Sequence, residues 1–133
     1  IGRFQLLPGT PQIVLDVAHN PHAVSIMLKN MVKLPMAKNN YAVFGIAQEK
    51  DIDAIIAICK DRFTKWFIAK INSPRGVANA KLKAILRQYN IAANDIVECE
   101  NIKEAFNQAK EICNHDDRMI CFGSFLVVEE VRR

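Results

Sequence analysis

The sequence predicts an α/β fold: a mainly parallel sheet of about six strands, the first of them antiparallel, with helices on both faces. Three observations carry this. Apolar runs of strand length alternate five times with segments whose apolar residues recur at helical spacing. The strands are nearly all apolar, as a sheet covered on both faces requires. Polar, small and charged residues collect just after the strands, where a parallel sheet gathers its carboxyl ends.

Each element follows in order. "RFQLL" and the turn "PGTPQ" predict a strand hairpinned antiparallel onto the next one. "IVLDV" is that next strand, and it runs into "AHNPHA". A helix follows, with Val24, Met27, Leu28, Met31 and Leu34 on one stripe. "YAVFGI" is a strand, and Ile52, Ile55, Ile56, Cys59 and Phe63 make the next helical stripe. "WFIAKI" precedes a helix bearing Leu82, Ile85, Leu86 and Tyr89. "DIVEC" is a weaker strand before the stripe Ile102, Ala105, Phe106, Ala109, Ile112 and Cys113. "RMICF" and the helix "FLVVEEVRR" close the chain. Strand–helix–strand alternation implies right-handed crossovers and a Rossmann-like arrangement. Residues 1–133 read as one domain without repeats or linkers.

Composition narrows the function. Half of the 133 residues are apolar and 24% are charged, which excludes a disordered chain. No apolar run approaches the roughly 18 residues of a membrane span. "IGRFQLLPGT" has no signal-peptide core, so a cytoplasmic protein without membrane partners is expected. Net charge is +4, but the basic residues are scattered and form no stripe with aromatics, so no nucleic-acid partner is expected. Cys59, Cys99, Cys113 and Cys121 form no C-x-x-C and read as buried free thiols. His19 with His22, and Cys113 with His115, do not complete a zinc shell. No G-x-x-x-x-G-K-[ST] and no G-x-G-x-x-G is present, so the chain alone lacks a triphosphate cradle.

The loops expected at the carboxyl edge are "AHNPH", "AQEKD", "NSPRG", "CEN" and "GSF". Asn20 suits a helix N-cap, and Pro21 the first helical turn. Asp16 closes an apolar strand, where an unpaired carboxylate is costly. It needs backbone N–H groups, an arginine or a ligand hydroxyl. His19 stands beside the start of the helix. Gly123 permits a positive φ or a close backbone approach. Ser124 can cap the last helix, alone or while also touching a ligand. Asp51 suits a cap, with Lys50 beside it as a possible substrate contact. Arg75, between Pro74 and Gly76, presents a guanidinium from a tight turn, either to solvent or to a carboxylate.

In order along the chain, "GRFQ", "IVLDVAHNPHA", "VFGIAQEKD", "SPRG" and "FGSFLVVEEV" resemble the C-terminal domain of the folylpolyglutamate synthase family, a branch of the Mur-type amide ligases. Val17, in place of the glycine usual in D-G-A-H-N-P, is similar to the bacterial bifunctional branch that is also dihydrofolate synthase. The resemblance covers the whole chain. It implies an ATP-dependent ligase with an N-terminal P-loop ATPase domain that lies outside this chain. ATP phosphorylates a dihydropteroate or folate carboxylate, and the amine of L-glutamate attacks the acyl phosphate. Mg2+ bridges the phosphates and is held mainly by the N-terminal domain. The resemblance places Arg3 and Asp16 at the ATP. It places His19, a candidate catalytic residue, and Ser124 near the incoming glutamate, and Arg75 at the glutamate carboxylate. No metal ligand is expected in this chain, and a monomer is expected. Two other readings are a cell-wall Mur ligase C-terminal domain and a stand-alone flavodoxin-like binding module.

Overall fold

The computed structural model describes residues 3–133. Gly2 of the G-R-F motif lies outside the described residues. The sheet has six strands in the order β1-β2-β6-β3-β4-β5. These are β1 (Gln5–Leu7), β2 (Gln12–Leu15), β3 (Asn40–Phe44), β4 (Lys65–Ile68), β5 (Ile96–Glu98) and β6 (Arg118–Phe122). β1 pairs with β2 antiparallel and every other pairing is parallel, as expected. The hairpin turn between β1 and β2 uses Gly9 at a φ of 101°.

The helices are α1 (Pro21–Val32), α2 (Ile52–Cys59), α3 (Asn79–Gln88), α4 (Ile102–Ile112) and α5 (Phe125–Arg132). Side chains fix most of their starts by accepting an otherwise orphaned N–H. Asn20 Oδ1 accepts from Ala23 N–H at 2.8 Å, and Asp51 Oδ1 from Ala54 at 3.2 Å. Asn101 Oδ1 accepts from Glu104 at 2.8 Å, and Ser124 Oγ from Leu126 at 3.1 Å. α3 starts at Ala78 without a side-chain cap.

Strand alternation divides the core into two layers. Ala42, Phe44, Trp66, Ile68, Ile120 and Phe122 face α1, α2 and α3. Val43, Phe67, Met119 and Cys121 face α4 and α5. Full burial of one such side chain contributes about 1.5–3 kcal/mol. Three expectations need correction. α1 ends at Val32 and α2 at Cys59, so Leu34 and Phe63 reach the core from loops instead of from helix stripes. Phe63 stacks on Phe122, with ring centroids 5.7 Å apart, and meets Trp66 edge-on at 5.1 Å. Ile112, the last residue of α4, is 43% exposed instead of packed in the layer.

The four cysteines are free, three buried and one half-buried. Burial pushes the Cys59 thiol up to about 12 and those of Cys99 and Cys113 up to about 11. Cys121, in the sheet core, is raised as well. Protonated, desolvated thiols are poor nucleophiles, so cysteine chemistry has no candidate here.

Candidate functional site

The carboxyl ends of β2, β6 and β3 lie side by side. β2 leads to α1 on one face of the sheet, while β6 leads to α5 on the other. A reversal of this kind opens a crevice between the loops, where open α/β sheets take ligands. Backbone packs against backbone at its base. Gly123 N–H donates to the Ala18 carbonyl at 2.9 Å. Gly123 has a φ of 112°, and a Cβ there would stand 2.2 Å from the Gly45 carbonyl oxygen. Glycine is required both for the conformation and for the space.

Asp16 follows β2 directly and is only 4% exposed. Its N–H donates to the Cys121 carbonyl at 3.0 Å, which carries the β2–β6 pairing one residue further. Its Oδ1 accepts the Ala18 N–H at 2.9 Å. Burial pushes the carboxyl above its ordinary range; the N–H groups of Ala18 and Phe4 and the charge of Arg3 pull it back only in part. Arg3 and Asp16, far apart in two motifs, therefore belong to one locality. Phe4 has a φ of 43°, a left-handed conformation that is costly for a bulky residue. The sequence reading missed Phe4. Nothing local marks a phenylalanine for such a backbone, and its reason, the bend that brings residues 3 and 4 to Asp16, is nonlocal.

His19 is half-buried just before α1, and its Nδ1 lies 2.9 Å from the Val17 carbonyl. A carbonyl only accepts, so this bond uses a proton on Nδ1 and leaves Nε2 outside it. Ser124 lies across the crevice at the start of α5. Its Oγ lone pair caps the helix, and its hydroxyl proton remains available to another acceptor. Beside it Phe125 is 61% exposed, which helix periodicity did not single out.

Arg75 stands elsewhere. β4 is separated from β6 by β3, which at the usual strand spacing is roughly 10 Å. The loops after β3 and β4 are knitted by the Ala47–Gly76 bridge and by the Gln48 N–H donating to the Arg75 carbonyl at 2.8 Å. On this platform Arg75 Nε donates to Glu49 Oε1 at 3.2 Å, with both side chains exposed. The Glu49 carboxyl is held below its usual range, first by its own backbone N–H and also by Arg75. Lys50 is half-buried in the same turn. A cleft of about 780 Å³ opens next to this platform, lined by Lys70, Ser73, Glu100, Lys103 and Glu130. It lies beside the crevice, at the ends of β4 and β5. Among the described residues no group of three His, Cys, Asp or Glu side chains is placed to hold a metal ion. Nor is any helix among the described residues long and apolar enough to cross a membrane.

Known proteins share this architecture. The family profile of the Mur ligase, glutamate ligase domain, matches residues 2–125. The dihydrofolate synthase/folylpolyglutamate synthase of Buchnera aphidicola from Schizaphis graminum is 30% identical over 97% of the chain. The Escherichia coli K12 enzyme of the same name is 30% identical over 98%. The chain spans about 30% of the length of these relatives. Among solved structures, Escherichia coli FolC in complex with ADP superposes with a TM-score of 0.88 at 30% identity, covering 98% of this chain and 30% of that one. A bifunctional folylpolyglutamate synthase/dihydrofolate synthase with Mn, AMPPNP and L-glutamate bound gives 0.86 at 29% identity, with the same coverage. The order of the strands, the crevice at their reversal and the motif residues gathered there thus coincide with the profile match, and the chain belongs to the Mur ligase glutamate ligase domain family.

Proposed function

We propose that this chain is the C-terminal domain of an ATP-dependent amide ligase that joins L-glutamate to dihydropteroate or folate. One observation supports the reading: the segments that bear Arg3, Asp16, His19 and Ser124, from both ends of the sequence, adjoin at the carboxyl ends of β2 and β6. The relatives' names supply the reaction class, and their bound ADP, AMPPNP and L-glutamate supply the ligand types. A P-loop domain preceding this chain phosphorylates the acceptor carboxylate, and the crevice closes onto it.

Each residue suits its role. The Asp16 carboxylate is an acceptor-only group held by backbone donors, which fits the hydroxyls of a nucleotide ribose. The Arg3 guanidinium adds positive charge beside the phosphates. His19, through an Nε2 that its bond to Val17 leaves unused, can take a proton from the glutamate ammonium and so free the amine that attacks the acyl phosphate. Ser124 can donate its hydroxyl to the amino acid, and Arg75 can exchange Glu49 for the glutamate carboxylate. Mg2+ belongs, on this reading, mainly to the P-loop domain. The enzyme works as a monomer in the cytoplasm.

The test is a ligation assay on the longer protein with pterin and UDP-muramoyl acceptors. Amide formation on the pterin alone is expected. Asp16→Ala should raise the KM for ATP more than that for glutamate. A change confined to glutamate would remove Asp16 from the nucleotide, and transfer to the muramoyl acceptor would move the chain to the cell-wall branch.

A further inference from the structure

The opposite edge of the sheet carries a second nearly buried charge. Arg118 opens β6 and is 5% exposed. It stands in register with Gln12 on β2 and Asn40 on β3. Nε donates to Gln12 Oε1 at 2.6 Å, Nη1 to Asn40 Oδ1 at 3.2 Å, and Nη2 to the Pro35 carbonyl. All three acceptors are neutral. A guanidinium has five N–H groups, so one on each terminal nitrogen is left over. The ion pairs among the described residues are Arg75–Glu49, Lys83–Glu98 and Arg133–Glu129, and Arg118 is in none of them. The adjacent Asp117 carboxylate is taken up by Asn39 Nδ2 at 3.0 Å and the Asn114 N–H at 2.8 Å. A buried cation without an anion is costly, and desolvation lowers the Arg118 pKa.

Arg118 lines an open cavity of about 410 Å³. Arg62 brings a second guanidinium to the same cavity, and Met31, Val32, Leu34 and Met36 supply apolar walls. Val32 and Met36 are 71% and 98% exposed, an unusual display of apolar surface around two cations. We propose that this cavity is a second ligand site, for a carboxylate on an apolar body, with the carboxylate against Arg118 and Arg62 and the body against Met31, Val32, Leu34 and Met36. Planar guanidinium and planar carboxylate match in geometry. A free phosphate would leave the apolar walls unused. The site lies at the end of the sheet opposite Asp16, so its occupant does not compete with ligands of the crevice.

The four methionines report on it, because Met31 and Met36 line the cavity while Met27 and Met119 are fully buried in the core layers. The chain, with 13C-labelled methionine methyls, is titrated at pH 7 with phenylpropionate and, separately, with its amide. Saturable shifts of Met31 and Met36 with the acid alone are expected, with Met27 and Met119 unmoved. Arg62→Gln should weaken binding about tenfold or more, while Met27 and Met119 keep their folded positions. Equal response to the amide, shifts linear up to the solubility limit, or unchanged affinity in Arg62→Gln would overturn the proposal.

Discussion

Asp16 and Arg118 are nearly equal in burial, at 4% and 5% exposed, and lie at opposite ends of the β2–β6 pair. They are treated differently. Arg118 gives three hydrogen bonds to three separate segments and ties the amino ends of β2 and β3 to the loop at Pro35. Asp16 is served by nearby backbone donors and one exposed arginine, and burial still raises its carboxyl pKa. The cation is tied into the fold by side chains and still keeps two N–H groups spare. The anion has no comparable set of side-chain partners, and burial disfavours its charged form, a pattern common at functional sites.

Three measurements sharpen or break that contrast. The largest effect should come from Arg118→Met, which strips the donors from Gln12, Asn40 and Pro35. A loss of roughly 2 kcal/mol in urea unfolding is expected. A gain would mean that desolvation of the guanidinium outweighs its bonds, and the contrast would collapse.

Asp16→Asn should act in the opposite direction. Asparagine keeps Oδ1 for the Ala18 N–H and removes the charge. The folded carboxyl lies above its ordinary value of 3.8, so its favourable contribution is full below that value. It is lost as pH rises through the folded value. At pH 7 the variant should therefore melt a few degrees higher than the parent, and the gap should narrow towards pH 4. A gap independent of pH would show that charge is not the cause.

The smallest effect belongs to Arg75→Ala. Its pair with Glu49 is exposed at both side chains, so the unfolding midpoint should not move measurably. On the proposed ligase reading, the same change should raise the KM for glutamate in the longer protein. A shift in the midpoint with no change in KM would make the pair a fastener of the two loops and nothing more.

Much of this could be read from residue order. The alternation of strand and helix is a local property, and so are the caps at Asn20, Asp51 and Ser124. Asp16 stood out because a carboxylate after "IVL" has no cheap local explanation. What escaped was nonlocal. Helical spacing continued through Leu34 and Phe63, but the helices stop earlier and those side chains reach the core from loops. Apolarity alone could not tell that Ile112 is exposed. The left-handed Phe4 and the Glu49 partner of Arg75 depend on segments that meet only once the sheet is assembled. The place of β6 between β2 and β3 is equally silent in a sequence that lists it last.

That place matters while the chain is being made. On a ribosome, β2 and β3 emerge well before the strand that joins them. Until β6 arrives, each presents an unpaired edge, and every intermediate length is a sheet split at its centre. A premature stop anywhere before Arg118 would therefore remove the middle of the domain and not its rim. Such products would be unable to fold and open to the wrong partners.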